Sequence, residues 1–321
     1  MKKSVVVTGA SGFIGTNLLD RLKDRYEVLN VDTKQPLNED QHNYWRRVDI
    51  TDLKALEAVI CDFNPDYIVH LAARTDLLGR GIDDYAANTV GVENILKVAA
   101  KLPNLKKIII TSSMLVCSTG YIPQHQFDYA PTTIYGESKV LTEKIVWGDK
   151  PKCDWAIVRP SSIWGPWFGD PYKNFFDMVI AKRYFHVGNR SCTKTYGYVE
   201  NIVYQIEQIM LADTTNEQNK VFYLGDLQAT NIEEWANEIA GELGYKIHKI
   251  PYWILKIAAW GGDLLKLIGV RFPMTSFRLK NMTTDNIVPL SNTSEIAPNP
   301  PYARIEGVKR TLSWIQTHIS K

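Results

Sequence analysis

Apolar and polar positions along the first half of the chain switch repeatedly between two periods. Lys3–Thr8 is a β-branched run with the character of a buried strand. Phe13–Lys23 follows, with Ile14, Leu18, Leu19 and Leu22 recurring at helical spacing. Glu27–Val31 and Tyr44–Val48 read as the next strands. Asp52–Cys61 reads as a helix striped by Leu53, Leu56 and Ile60, with Thr51 or Asp52 as its cap. Tyr67–Leu71, Lys107–Thr111 and Trp155–Val158 supply further strands, separated by helices over Asp83–Lys101 and Thr132–Trp147. Strands alternating with helices predict an α/β fold with a parallel sheet covered on both faces. Right-handed crossovers make it doubly wound.

The punctuation changes after Arg159-Pro160. Ser161–Pro171 holds Gly165, Pro166, Gly169 and Pro171, a loop composition, and the alternation weakens beyond it. Helices are predicted at Asn174–Lys182, Val199–Leu211, Ile232–Leu243, Tyr252–Ile268 and Ile305–Ile319, with a strand at Val221–Leu224. The expected organisation is a dinucleotide-binding domain over residues 1–160 and a smaller substrate-binding region over 161–321, with some segments returning to the first domain.

Composition narrows the function classes. Of 321 residues, 45% are hydrophobic and 22% charged, and 37 Lys plus Arg oppose 35 Asp plus Glu, which leaves no basic surplus for a nucleic acid. Cys61, Cys117, Cys153 and Cys192 are scattered, so neither a metal site nor a disulfide framework is expected. The run Val5-Val6-Val7 ends at Thr8-Gly9, short of a signal-peptide core, and a cytoplasmic location is expected. The most apolar stretch, Pro251–Val270, is interrupted by Lys256, Asp263 and Lys266.

Two segments carry candidate chemistry. Thr8-Gly9-Ala10-Ser11-Gly12-Phe13-Ile14-Gly15 joins the first strand to the first helix. Its glycines permit a tight turn, approach of backbone to a pyrophosphate and close helix packing, and the helix start offers free N–H groups. Asp32 ends the second strand, where a carboxylate suits a ribose 2′-hydroxyl and repels a 2′-phosphate; NAD is therefore favoured over NADP. The second segment is Tyr135-Gly136-Glu137-Ser138-Lys139, which puts a phenol and an ammonium on one helix face. A cation near a phenol favours the phenolate, a base fit for an alcohol proton. Ser112-Ser113 end the fifth strand, where a hydroxyl can hydrogen-bond a reacting oxygen.

Taken in order, the glycine turn, Asp32, His70-Leu71-Ala72-Ala73, Asn88-x-x-Gly91-x-x-Asn94, Ser112-Ser113 and Tyr135-x-x-x-Lys139 resemble the extended short-chain dehydrogenase/reductase family, which includes NAD-dependent epimerases and dehydratases of nucleotide sugars. The resemblance implies a Rossmann-type fold with NAD as cofactor. Tyr135 becomes the acid/base, Lys139 the residue that holds the nicotinamide ribose and tunes the tyrosine, and Ser113 the catalytic hydroxyl. Asp49 and Ile50 would contact the adenine, with a helix N-terminal acid as the alternative for Asp49. Leu71, Ala72 and Ala73 would line the cofactor, and Asn88 would fix helix geometry beside it. Ser162, Lys194 and Arg304 fall at substrate positions, Lys194 where the family often has a diphosphate-binding arginine and Arg304 in a loop before the last helix. His70 reads as a satisfied strand-end residue.

Met114 and Leu115 stand where 4,6-dehydratases carry a carboxylate after the catalytic hydroxyl, which argues against dehydration. The expected activity is hydride transfer at a ring carbinol of a nucleoside-diphosphate sugar, as a 4-epimerase or 4-keto reductase/dehydrogenase. The alternatives are a 3β-hydroxysteroid-type dehydrogenase, supported by Pro251–Val270 with Trp253 and Trp260, and a non-catalytic dinucleotide sensor. At helical spacing those apolar residues also read as core or as a pocket lid. The resemblance further implies a homodimer through the helices Asp83–Lys101 and Thr132–Trp147.

Overall fold

β1 (Ser4–Thr8), β2 (Glu27–Asp32), β3 (Trp45–Arg47), β4 (Tyr67–His70), β5 (Lys107–Thr111), β6 (Asp154–Pro160) and β7 (Val221–Leu224) form one seven-stranded sheet in the order β7-β6-β5-β4-β1-β2-β3. Every pairing in it is parallel. The structure is a computed structural model that describes residues 2–319 apart from 268, 271 and 273. The apolar strand runs are continuous because both faces are covered. Val5, Val7 and Ile109 enter one core, while Val6, Ile108 and Ile110 enter the other.

The helices are α1 (Phe13–Leu22), α2 (Leu53–Phe63), α3 (Val90–Ala99), α4 (Ile134–Asp149), α5 (Tyr172–Ile180), α6 (Val199–Leu211), α7 (Ile232–Glu242), α8 (Tyr252–Leu267), α9 (Ser276–Thr283), α10 (Ser291–Ile296) and α11 (Arg304–Ile319). Leu18, Leu19 and Leu22 of α1 share the first core with Ile202, Val203 and Ile206 of α6. Leu56 and Ile60 of α2 share the second with Val92 and Ile95 of α3. The second half of the chain thus returns both a helix and an edge strand to the first. Its own core is aromatic: Trp164, Phe176, Tyr198 and Trp235 gather α5, α7 and α11.

Two differences from expectation have physical causes. The helix predicted over Asp83–Lys101 is broken into a 3₁₀ turn, Ile82–Asn88, and α3, with Tyr85 off helical geometry at φ −109, ψ 35. The Tyr85 hydroxyl donates to the Asp76 carbonyl at 2.8 Å, and Asn88 is tied to the loop after β4; both pull the turn off the helix axis. Short pairings such as Ser162–Trp164 with Tyr196–Tyr198 have too few residues to show a period. The helix predicted to Ile268 runs to Leu267, and Ile268 lies outside the described residues. The core reading of Pro251–Val270 holds for one face: Leu255 and Ala259 are buried with Met274 and Leu279, whereas Trp253 and Trp260 are exposed.

Candidate active site

The sheet reverses its winding between β1 and β4. Chain from β1 continues to β2 and β3 on one side and later returns to β4 on the other, so loops diverge at the carboxyl ends of β1 and β4. Gly9 occupies this point. Its φ is +74, and a Cβ there would lie 2.5 Å from the Ala72 nitrogen, so only glycine lets the two loops meet. Gly12 then begins α1 without any side-chain cap. The first N–H groups of the helix, at Phe13, Ile14 and Gly15, therefore have no intrahelical or capping partner and suit an anion. Asp32 stands at the lip of the same turn: one carboxylate oxygen accepts from the Ser11 N–H at 3.1 Å, the other from the Lys34 N–H at 2.9 Å. Leu71, Ala72 and Ala73 are half-buried across from it. A glycine cradle that a Cβ would fill, an uncapped helix start and a carboxylate at the strand end fit an NAD pyrophosphate and ribose.

The catalytic candidates converge on the next crevice. Ser113 follows β5 and accepts from the Leu115 N–H at 3.1 Å, which folds Met114–Val116 into a tight turn. Thr133 caps α4 by accepting from the Gly136 N–H at 3.0 Å. Gly136 lets the two elements touch, bringing Tyr135 to Ser113. Tyr135 is buried, and burial pushes its phenol up to about 12, while the hydrogen bond with Ser113 draws it back and Tyr172 and Tyr85 raise it further. Lys139 is fully buried and donates to the Thr111 carbonyl at 2.8 Å. Burial lowers its ammonium to about 8, against an upward pull from Glu143. The ammonium is held on the backbone of β5 one helical turn from Tyr135, and the hydrogen bond with Ser113 favours the phenolate.

Four groups that the sequence reading gave no role, Glu143, Arg159, Tyr129 and Tyr85, surround this pair together with Ser112 and His70. Glu143 continues the stripe Tyr135, Lys139 by one more turn. It forms a fully buried ion pair with Arg159, with Nε to Oε1 at 2.8 Å and Nη2 to Oε2 at 2.7 Å. Ser112 and Tyr129 donate to the same carboxylate at 2.5 and 2.9 Å. The ring of Tyr85 lies 6.1 Å from that of Tyr135. His70 Nδ1 shares a 2.7 Å hydrogen bond with Thr8, and burial, with Lys139 nearby, lowers the imidazole to about 3, so it is neutral.

Other expected residues have structural duties. Asn88 accepts from the Arg74 N–H at 2.8 Å and donates to the Arg74 carbonyl and to Ser138 at 3.0 and 2.9 Å. It locks α4 to the loop after β4. Asp49 accepts from the N–H and hydroxyl of Thr51 at 2.8 and 2.7 Å; the cap of α2 is Asp52. Ile50 is buried, and its carbonyl accepts from Asn94 at 3.0 Å. Ser162 lies close enough to Tyr172 to draw its phenol down against the upward push of burial, and Tyr172 in turn acts on Tyr135. Lys194 donates to the Asn281 carbonyl at 2.7 Å. Arg304 opens α11 instead of preceding it, and its guanidinium grips Glu238 at 2.8 and 2.7 Å, so its charge is already matched.

Comparison with known proteins bears on this arrangement. The chain is 26% identical to an N-acetyl-alpha-D-glucosaminyl-diphospho-ditrans,octacis-undecaprenol 4-epimerase of Escherichia coli O157:H7, across 100% of this chain and 98% of that protein. It is 27% identical to a UDP-glucose 4-epimerase of Vibrio cholerae, across 97% and 95% of the two chains. In fold it is similar to a UDP-N-acetylglucosamine 4-epimerase of Methanobrevibacter ruminantium M1, with TM-score 0.75, 21% identity and 99% of both chains covered. Residues 5–225 match the NAD dependent epimerase/dehydratase family across the glycine turn, the Ser113–Tyr135–Lys139 cluster and β7. The chain belongs to that family, as an extended short-chain dehydrogenase/reductase enzyme with NAD as its cofactor.

Proposed function

We propose that the chain is a 4-epimerase of a sugar carried on a diphosphate, with a nucleoside diphosphate as the carrier. The observation that carries this reading is the meeting of Tyr135 and Ser113 in a buried crevice whose neighbouring positions, Met114 and Leu115, hold no carboxylate for elimination. The relatives named above are 4-epimerases, and their substrates share a sugar diphosphate. In this reading residues 1–160 hold the dinucleotide and residues 161–321 mainly hold the substrate.

NAD supplies the hydride acceptor and donor. Tyr135, as phenolate, takes the proton from the substrate C4 hydroxyl and returns it after the sugar ketone has turned over. Ser113 donates a hydrogen bond to that same oxygen. Lys139, cationic below about pH 8, adds positive charge one helical turn away. Ser162, through Tyr172, shapes the sugar side of the crevice. Lys194 and Arg304 are the candidates for phosphate contact, Lys194 with a point charge in place of a fork. A homodimer through α3 and α4 completes the proposal, and sedimentation showing only monomer at micromolar concentration would count against it.

The test is a screen of nucleoside-diphosphate sugars with wild type and Tyr135→Phe, alongside assay of NAD released on denaturation. Epimerisation of one substrate, lost by about a hundred- to ten-thousand-fold in a folded, NAD-competent Tyr135→Phe, is the expected result. A variant that keeps most of its activity on the true substrate would overturn the assignment. A second carrier, a membrane polyprenol, is favoured by the exposed apolar face of α8, and the same screen with a polyprenyl-diphosphate sugar separates the two.

A further inference from the structure

α8 is apolar on two opposite faces. Leu255 and Ala259 point into the small core with Met274 and Leu279. On the other side Trp253, Ile257, Trp260 and Leu264 recur at i, i+4, i+7 and i+11, exposed by 64%, 59%, 61% and 66%. This spacing forms a continuous outward stripe. A surface helix ordinarily turns charge outward, and a helix apolar all round is one that expects a second cover. Phe277 of α9, 75% exposed, adds to the patch beside it.

The surrounding charge says what covers it. Between Tyr252 and Met282 the exposed Lys256, Lys266 and Lys280 stand against one acid, Asp263, in a chain whose whole net charge is +2. Asp263 is also turned inward onto the Ser276 N–H, at 3.2 Å. The ammonium of Lys256 lies over the Trp260 ring, 5.2 Å from its centroid. Two such faces would repel each other, so a second copy is poorly suited to the patch. An outward indole stripe with Lys256 seated on it instead matches the boundary between headgroups and acyl chains of an anionic bilayer. Among the described residues no helix is long and apolar enough to cross a membrane, so the contact is with the surface.

We propose that the outward face of α8 and α9 docks this enzyme on an anionic lipid surface. The face is linked to the catalytic loop. Lys194 holds the end of α9 through the Asn281 carbonyl, and Asn286, five residues on, accepts from the Gly120 N–H at 2.8 Å and reaches Met114 Sδ at 3.8 Å, next to Ser113. The docked enzyme therefore keeps its substrate side near the lipid. The proposal does not rest on which sugar diphosphate is the substrate.

The test is co-sedimentation of the purified full chain with phosphatidylcholine vesicles, with and without phosphatidylglycerol. Wild type pellets with the mixed vesicles, and added salt weakens the binding. Lys256→Gln weakens it by roughly fivefold. Trp253→Ser with Trp260→Ser abolishes it, while melting temperature and NAD binding stay unchanged. No binding to mixed vesicles by a folded wild type overturns the proposal, as does equal binding by wild type and the double tryptophan variant. Self-association of wild type that the tryptophan substitutions abolish, without vesicle binding, also overturns it and assigns the face to a second copy.

Discussion

A Cβ added at Gly136 would lie 2.3 Å from the carbonyl oxygen of Leu115. The start of α4 thus rests directly on the turn that follows Ser113, and the catalytic tyrosine and serine are set by one backbone contact. Gly136→Ala should force the two elements apart. A displacement near 1 Å costs about a hundredfold in kcat/KM, with overpacking of roughly 1–3 kcal/mol in stability. Kinetics together with a denaturant titration will check it; activity within a few fold of wild type would show that the contact is not what holds the pair.

Asp32 already accepts from the Ser11 N–H at the glycine turn, so its carboxylate is fixed in place before any ribose arrives. Asp32→Ala is expected to weaken NAD about tenfold or more and to narrow the gap to NADP, because a charged acceptor and a repulsion are lost together. Calorimetric titration with both dinucleotides reads both effects, and an unchanged preference removes Asp32 from the site.

Lys139 titrates at about 8 in the folded chain, below the ordinary 10.5. Between those values the unfolded chain binds the extra proton, so stability rises with pH across that window and the buried charge costs most below it. The cost is roughly 3 kcal/mol at pH 7, offset in Lys139→Met by about 1 kcal/mol for the hydrogen bond lost at the Thr111 carbonyl. Lys139→Met should therefore be more stable than wild type at pH 7, with the gain fading by pH 10.5, while turnover and NAD affinity fall. Urea titrations at both pH values decide it; a variant destabilised equally at both would refute the electrostatic account.

Glu143 and Arg159 are both wholly buried. Removing one partner strands the other's charge or its donors, so Glu143→Gln should cost about 3–5 kcal/mol. Replacing both, as Glu143→Leu with Arg159→Met, should recover much of that loss. A double variant as unstable as the sum of the singles would point to the hydrogen bonds from Ser112 and Tyr129 as the larger contribution.

The parts of this site legible in the sequence are those whose geometry is local. The glycines of one turn, the carboxylate closing the next strand and a phenol four residues before a lysine each fall within one element or one connection. Periodicity located the strands for the same reason, since two-sided burial leaves Val5-Val6-Val7 and Ile108-Ile109-Ile110 as unbroken apolar runs. Glu143 was within reach, because it continues the Tyr135 and Lys139 stripe by four residues. Its partner Arg159 was not, because that pairing crosses from α4 to β6 and carries no fixed spacing. The pairing of Arg304 was hidden for the same reason, because Glu238 of α7 meets it across the packing of two helices. The break at Tyr85 was hidden because it depends on side-chain bonds to the loop after β4.

The return of α6 and β7 to the first layer means that the nucleotide-binding half is not a self-sufficient module. During synthesis β6 stays an unguarded border until Val221–Leu224 has emerged, and Leu18 and Leu22 wait for Ile202 and Ile206. A fragment cut at Pro160 should therefore aggregate through its bare strand when expressed, whereas one extended past Leu224 carries the missing cover. Assembly of the catalytic crevice thus depends on chain far from Tyr135 in sequence, and mutations scattered over residues 199–224 should extinguish activity through misassembly.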